Sequence, residues 1–362
     1  MHGLHGQVLS LTRLQSCPLT APQEWRNHLR SAIHPSIFAA VYCGADAVAQ
    51  ALQLSPSLRD EFFLAAPKTV QAVFAGLGDY YTWKLAKRIY GHDSSEAWAA
   101  LALTALSPWQ WFCATRTFSN CLETTLTVIA LYNWPFHWSL PAQENEDSQT
   151  DSEGLRIRRD GDSIGQGSVD ESTFLRRALL FAAIATIVRP TNVLIWATLS
   201  WLTFCQHTRS DWWCQIPWMD QFAWFHKTSW SFIPNRNERM AFFRETLICG
   251  TSVLLLSILI DRFYYQVWCL PPLNFLRFNI VQSLSIFYGN NDWHYYLSQG
   301  YPLLLTTALP FAITGIYQAL LMTPKFEHLS TASRTMLSHL AMICILVPLA
   351  LSAISHKEVR FI

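Results

Sequence analysis

The charged residues near the end of the sequence are the first candidates for chemistry. No acidic or cationic residue occurs between positions 335 and 355, and the cluster His356-Lys357-Glu358-Val359-Arg360-Phe361 follows. Arginine and histidine can hold a phosphate through charge-assisted hydrogen bonds, and a carboxylate can orient the arginine or a hydroxyl group. Taken alone, the same residues are also typical of a helix that leaves a membrane and ends in snorkelling charges.

Two arginines lie between apolar stretches. Arg116 precedes Asn120 at the edge of an apolar run, where it either snorkels to the membrane boundary or offers a cation to a phosphate group. Arg189 lies deeper, beside Pro190, which is expected to break a helix. Because an ionisable residue at membrane depth is costly, Arg189 is a functional-site candidate by default.

A third cluster mixes aromatic rings with amides and one carboxylate. It contains Asp292, Trp293, His294 and Gln299. Sugars have an apolar face that stacks on rings and hydroxyl groups that need paired donors and acceptors, so this composition favours a glycan-binding loop. The alternative is an aromatic belt with a polar rim. A metal site is not predicted here, since further ligands at suitable spacing are missing.

Composition identifies a membrane protein. Of the 362 residues, 51% are hydrophobic and only 14% are charged, whereas a soluble domain has about 25% charged residues. The net charge of +1 gives no electrostatic footprint for nucleic acid, so nucleic acid is not an expected partner. The nine cysteines form no CxxC pair or zinc-type spacing, so no structural metal or redox centre is predicted.

Apolar runs predict an all-α polytopic membrane protein, because a crossing needs about 20 residues and a helix to satisfy its backbone. The predicted helical runs are 36–54, 62–83, 97–115, 124–140, 178–188 with 191–205, 246–260, 303–322 and 335–355. Breaks or kinks are predicted at Pro108, Pro190 and Pro348.

The segments between these runs differ in character. Residues 143–173 contain nine acidic residues and three arginines, which predicts a flexible linker. Residues 207–239 are polar with many aromatics and are expected to lie along the bilayer surface. Membrane helices are assigned to 21–142 and 174–362, a loop to 261–302, and no character to 1–20. Counting membrane crossings from Arg116 onward places the polar clusters on one side of the membrane and both linkers on the other. The side with the linkers is expected to be cytosolic.

Together, in this order, the motifs resemble the dolichyl-phosphate-mannose-dependent α-mannosyltransferases of glycosyltransferase family 22, which have a GT-C membrane fold. The family signature His-Lys-Glu-x-Arg-Phe stands at 356–361. Further matching motifs are Glu24-Trp-Arg, Arg30-Ser-Ala-Ile-His34-Pro, Thr-Arg-Thr-Phe-Ser-Asn at 115–120 with Leu-Glu-Thr at 122–124, Arg-Pro-Thr at 189–191, Asn-Phe-Leu-Arg-Phe-Asn at 274–279, and the block 287–300.

The resemblance implies an enzyme of the endoplasmic reticulum membrane whose site faces the lumen. Its donor would be dolichyl phosphate mannose and its acceptor a GPI-anchor precursor, which would receive its third mannose in an α1,2 link. No cofactor or divalent cation is implied. The alternatives are a family member that acts on the dolichol-linked N-glycan precursor, one that adds the fourth GPI mannose, and an inactive remnant. A transporter without chemistry would show internal repeats, and none is apparent in the sequence.

The resemblance also implies roles for residues. Donor-phosphate binding or positioning falls to Arg116, Arg189, His356, Glu358 and Arg360, and the acceptor glycan to Asp292, Trp293, His294 and Gln299. Other motif residues are Glu24, Arg30, His34 and Asn120. The family's catalytic base lies in an acidic loop before the matched region, and the family continues beyond Arg-Phe, so a fragment is expected and the base stays unassigned.

Arg360→Ala tests the role of the terminal motif. In a protein extended upstream to include the acidic loop, we expect this change to remove most α1,2-mannosyl transfer in a null strain, because a cation that holds the leaving phosphate is lost. Full activity of the variant would contradict the assignment.

Overall fold

The computed structural model describes Trp25, residues 27–139, 166–208, 229–232, 236–281, 291–321 and 329–353. Almost all of the regular structure in this part is helical. The helices are α1 Ile33–Ala51, α2 Pro56–Tyr90, α3 Ser95–Ala105, α4 Pro108–Ala114, α5 Ser119–Asn133, α6 Gln166–Val188, α7 Val193–Phe204, α8 Arg236–Tyr265, α9 Pro271–Leu276, α10 Tyr301–Leu305, α11 Leu309–Leu321 and α12 Thr331–Ser352. Two strands, β1 Cys205–Thr208 and β2 Ser229–Phe232, pair antiparallel.

Three stretches of the described helices are long and apolar enough to cross a membrane. They are Arg239–Tyr265, Tyr296–Leu320 and Thr331–Ser352. The other predicted runs are helical as well, but they are interrupted, shorter or more charged. The all-α membrane architecture predicted from composition is therefore confirmed, with one short strand pair added to it.

Proline and serine set several helix boundaries. Pro56, Pro108 and Pro271 each stand in the first turn of a helix, where proline's fixed φ fits and its missing N–H costs nothing. Ser330 caps α12 by accepting a hydrogen bond from the Ser333 N–H at 3.1 Å. The predicted break at Pro108 is confirmed, since it separates α3 from α4.

Pro348, where a break or kink is predicted, does not end its helix. It is buried inside α12, and the helix continues to Ser352. Proline inside a membrane helix is tolerated where neighbouring elements satisfy the freed backbone groups, and α12 packs against α7 and α11. Pro67 is likewise enclosed by the long helix α2.

The core is organised around α5 and α6. Helix α5 packs against α2 on one side and α6 on the other, and α6 in turn packs against α8. At one end of the core Trp134 is 1% exposed, and its indole N–H donates to Thr203 Oγ1 at 3.0 Å. A buried indole is stable when its N–H finds a partner, so this bond ties the end of α5 to α7.

Element boundaries differ in three of the predicted connecting segments. Helix α6 begins at Gln166, so the last part of the linker 143–173 is helical and the rest lies outside the described residues. In segment 207–239, β1 covers the first two residues, β2 covers Ser229–Phe232 and α8 begins at Arg236, while 209–228 and 233–235 lie outside the described residues. The loop predicted from position 261 starts only after Tyr265, where α8 ends.

Helices α2 and α5 approach closely at Gly78. A Cβ at this position would lie 3.0 Å from Thr125 Oγ1. That hydroxyl donates to the Phe74 carbonyl of α2 at 2.9 Å, so it cannot move aside without losing an interhelical hydrogen bond. A small residue that lets two backbones approach is a common device of membrane helix packing.

Gly78→Ala should therefore be less stable than Gly76→Ala, although both replace glycine by alanine in the same helix. Nothing lies within 4 Å of a Cβ at Gly76, so this control keeps the helix-propensity gain of alanine, about 1 kcal/mol. The Gly78 variant must displace Thr125 at a cost of about 1–2 kcal/mol. Thermal unfolding in detergent micelles compares the two, and equal stabilisation by both changes would contradict the contact.

Candidate functional site

A helix break places Arg189 in the interior of the helix bundle. Helix α6 ends at Val188, Arg189 has extended dihedrals of φ −148° and ψ 105°, and Pro190 starts a single 3₁₀ turn that ends at Asn192. The residue before a proline is driven out of the helical region by the proline ring. The Arg-Pro sequence therefore separates α6 from α7 and turns the arginine side chain away from both helix axes.

Glu123 of α5 contacts the residues of this helix break. Its Oε2 lies 3.3 Å from Arg189 Nη1, and its Oε1 accepts from Asn192 Nδ2 at 2.9 Å. The Arg189 and Glu123 side chains are only 12% and 13% exposed. A carboxylate in such a place needs both a counter-charge and hydrogen bonds to offset its lost hydration, and the two residues provide them.

Asn192 connects the pair to the surrounding helices. Besides Glu123, its Nδ2 also donates to Thr127 Oγ1 at 2.9 Å, and its Oδ1 accepts from Trp196 Nε1 at 2.5 Å. These contacts fix the amide orientation. We call Glu123, Arg189 and Asn192 the Arg189 cluster. Its hydrogen bonds hold the guanidinium in one position relative to three helices.

A second buried carboxylate lies near the end of α8. Asp261 is fully buried and accepts from Ser31 Oγ at 3.0 Å, from the Ala32 N–H at 2.6 Å and from Ser257 Oγ at 3.0 Å. All of these donors are neutral. Because Ala32 immediately precedes α1, the carboxylate also lies at the positive end of that helix dipole.

Two further bonds hold the segment before α1. Tyr265 Oη donates to the Arg30 carbonyl at 2.7 Å, and Asn274 Nδ2 donates to the His28 carbonyl at 3.3 Å. The segment 28–32 is therefore fixed to α8 and α9 by side chains more than 200 residues away in sequence. We call Asp261, Tyr265 and Asn274 the N-terminal clamp.

The clamp and the Arg189 cluster lie at the same end of the bundle. Helix α9, which carries Asn274, packs against the turn Pro190–Asn192. Arg30, Arg189 and Asn274, which belong to three of the matching motifs, are thus brought together at one end of the bundle. The membrane side that this end faces remains a prediction.

His34 lies half-buried in the first turn of α1. Burial, with a smaller effect of the nearby Arg30, lowers the pKa of His34 to about 4. Its imidazole is therefore neutral at physiological pH. The ring lies edge-on to Phe38 at 5.0 Å, and its Nε2 has no hydrogen-bond partner among the described residues. A neutral histidine can accept or donate a hydrogen bond but adds no charge to phosphate binding.

Arg116 lies between α4 and α5, and Asn120 lies in the first turn of α5. The Arg116 side chain is exposed, and its guanidinium lies 3.9 Å from the centre of the Phe112 ring. This cation–π contact places the charge on the surface of the bundle. The Asn120 carbonyl accepts from Thr124 Oγ1 at 2.9 Å. Arg116 is thus the more exposed of the two predicted phosphate-binding arginines, and Arg189 the fixed one.

The predicted acceptor residues form a local group. His294 Nε2 lies 3.6 Å from Asp292 Oδ2, and His294 Nδ1 lies 3.1 Å from Ser298 Oγ. Trp293 is 69% exposed and its ring lies edge-on to His294 at 5.6 Å, while Gln299 is exposed. An exposed indole beside polar groups suits stacking on a sugar, and this role remains a prediction.

Four predicted site residues cannot be placed. Glu24, His356, Glu358 and Arg360 lie outside the described residues. Within the described ranges, no group of three histidine, cysteine, aspartate or glutamate side chains is arranged to hold a metal ion.

Sequence reasoning did not assign Glu123, Asn192 or Asp261 to the site. A signal was available for Glu123, which is the only acidic residue between Glu96 and Glu144 and lies within apolar sequence. Such isolation marks a functional or paired carboxylate. Asp261 carried a weaker signal, because it lies next to Arg262 and resembled an ordinary charged helix end.

Comparison with known proteins gives a consistent picture. The chain matches the Alg9-like mannosyltransferase family over residues 19–362. GPI mannosyltransferase 3 of Aspergillus fumigatus is 51% identical over 94% of this chain and 40% of its own length. The protein of the same name in Gibberella zeae is 40% identical over 94% and 49%. Human GPI alpha-1,2-mannosyltransferase 3 is 31% identical over 94% and 46%.

The chain thus spans less than half the length of these relatives. No solved structure matches it.

Glu123→Gln should destabilise the protein by about 2–4 kcal/mol, because it leaves the Arg189 guanidinium without its carboxylate in a nearly buried place. Asp46→Asn is the matched control. It breaks the Asp46–Arg59 pair, whose side chains are 18% and 47% exposed, and should cost at most about 1 kcal/mol. Thermal unfolding in detergent measures both. Similar losses in the two variants would refute a special role for the Arg189 cluster.

Proposed function

The chain belongs to the Alg9-like mannosyltransferase family, and we propose that the whole protein transfers mannose from dolichyl phosphate mannose to a GPI-anchor precursor. We assign to it the third mannose, in an α1,2 link. The names of its relatives in Aspergillus fumigatus, Gibberella zeae and human support this assignment, since they cover nearly the whole of this chain.

The observation that carries the proposal is the fixed position of Arg189. A guanidinium kept at a helix break inside a membrane protein is costly, and such residues mark substrate sites. Arginine suits a lipid-linked phosphate because its N–H groups match phosphate oxygens in pairs. Glu123 and Asn192 orient it, with bonds of 3.3 and 2.9 Å around the shared carboxylate.

The reaction fits this arrangement. The bond between mannose C1 and the phosphate oxygen breaks, and the acceptor hydroxyl oxygen forms a new bond to C1 with inversion. Dolichyl phosphate leaves with the electron pair, and the hydroxyl proton passes to a carboxylate base. Arg189 stabilises the negative charge that grows on the leaving phosphate.

Glu123 acts in this scheme as a positioning residue. Both of its oxygens are engaged by Arg189 and Asn192, so it orients the guanidinium and does not collect the acceptor proton. The N-terminal clamp has a similar structural part, because it fixes the segment that carries Arg30 and His34 beside the same end of the bundle.

The proposed location is the endoplasmic reticulum membrane, with the end that carries the Arg189 cluster facing the lumen. The opposite end of the described bundle carries Lys84, Lys87 and Arg88 at the end of α2, and Arg176 with Arg177 lie midway along α6, between that end and the Arg189 break. An excess of lysine and arginine marks the cytosolic side of membrane proteins, which supports this orientation.

Arg189→Gln in the full-length protein tests the donor-binding role. We expect KM for dolichyl phosphate mannose to rise or kcat to fall so that kcat/KM drops about 10–150-fold, the effect of one hydrogen bond to a charged group. Arg189→Lys should recover only part of it, since lysine keeps the charge without the paired donors. Mannosyl transfer is measured in membranes from a null strain.

Arg59→Gln is the control, because Arg59 is a 47% exposed cation outside the Arg189 cluster, and its loss should leave kcat/KM unchanged. The accumulating lipids of the null strain decide the acceptor. GPI precursors that stop at two mannoses agree with the proposal, whereas truncated N-glycans with normal GPI anchors would contradict it. An Arg189→Gln enzyme with unaltered kinetics would remove Arg189 from donor binding.

A further inference from the structure

A third buried carboxylate lies at the other end of the bundle. The Glu245 side chain of α8 is 1% exposed. Arg176 of α6 donates to it from Nε at 2.6 Å and from Nη2 at 3.2 Å, and Arg244 donates from Nε at 3.1 Å and Nη2 at 2.9 Å. We call these residues the Glu245 triad. One carboxylate therefore holds two guanidiniums, one from each of two neighbouring helices.

Both arginine side chains are held by Glu245 and are still largely exposed. Their side chains are 53% and 65% exposed, although both contact the buried carboxylate. Each guanidinium has five N–H donors. The Nη1 group of each forms no hydrogen bond to a described residue. The triad thus presents oriented donors and one net positive charge to whatever lies outside the bundle.

The surface around the triad is apolar. On α8, the residues Met240, Phe243, Leu247 and Ile248 are between 51% and 68% exposed. They belong to Arg239–Tyr265, one of the stretches suited to cross a membrane. Exposed apolar side chains on such a helix are suited to contact lipid chains, and Arg244 lies among them on the same helix.

The positions of Arg176 and Arg244 along α6 and α8 indicate how far the two side chains lie from the helix starts. In α6 the acidic positions 170 and 171 precede Arg176, and in α8 the acidic position 238 precedes Arg244. Both helices enter the bundle from this end, so Arg176 and Arg244 lie more than one turn inside the helix starts at Gln166 and Arg236. Arg177 adds a cation in the same region, over the ring of Phe174 at 5.9 Å.

We infer that Arg176 and Arg244 form a binding site for the headgroup phosphate of an anionic phospholipid, whose acyl chains lie along the exposed face of α8. Fixed guanidiniums bind phosphate in pairs, and basic pockets between membrane helices select anionic headgroups. A zwitterionic lipid fits less well, because its own cation meets the excess of arginine. This site lies at the end opposite the Arg189 cluster and is independent of the proposed reaction.

The test uses full-length protein purified in detergent and fluorescently labelled phosphatidylserine, with labelled phosphatidylcholine as the comparison lipid. We expect phosphatidylserine to bind about tenfold more tightly. The triple variant Arg176→Met, Glu245→Leu, Arg244→Met should lose this preference. Replacing a complete buried ionic group by apolar residues preserves folding better than removing one partner, and unchanged thermal unfolding would confirm that.

A second variant keeps the proposal testable if the triple variant does not fold. Arg176→Lys with Arg244→Lys keeps both charges beside Glu245 but loses the paired donors, and it should bind phosphatidylserine severalfold more weakly. Arg177→Gln is the matched control, since it removes one charge in the same region without touching the triad, and it should keep most of the preference.

Three results would overturn the inference. The first is equal binding of the two lipids, and the second is an undiminished preference in the folded triple variant or in the double-lysine variant. The third is complete displacement of labelled phosphatidylserine by millimolar inorganic phosphate, which would identify a site for free phosphate.

Discussion

A buried charge must be neutralised where it lies, and the architecture of this protein depends on how it meets that constraint at Arg189. The guanidinium is placed in the interior by the Arg-Pro break between α6 and α7, and Glu123 of α5 is its counter-charge at 3.3 Å. Asn192 shares the same carboxylate. The pairing fixes how three helices meet, because any shift of one would leave an unpaired charge in an apolar environment.

Two more carboxylates are buried among the described residues, and each is stabilised by different chemistry. Asp261 accepts only neutral donors and lies at the start of α1, so it acts as a cap that joins distant parts of the chain. Glu245 is bound by two exposed arginines. The first arrangement gives a static junction, whereas the second leaves positive charge on the surface. The same residue type therefore has different consequences according to its donors.

The two ends of the bundle divide these tasks. One end combines the Arg189 cluster with the N-terminal clamp, and it brings together motif blocks that stand far apart in sequence. The other end has the buried Trp134 with its bond to Thr203, the basic end of α2 and the Glu245 triad. The two sets of charged contacts therefore lie on separate surfaces of the described bundle.

The sequence by itself determined the class, the family motifs and several local breaks. Low charge and long apolar runs require membrane helices, and Pro108 and Pro190 interrupt them through steric effects that act within a few residues. At Pro348 the helix continues, and α12 packs there against α7 and α11. The sequence also identified Arg189 as an ionisable residue deep within apolar sequence. Only the tertiary structure decided the partners: Glu123 lies 66 residues from Arg189, and Ser31 lies 230 residues from Asp261. Composition and spacing show that a charge is buried, but the packing of helices chooses which group neutralises it.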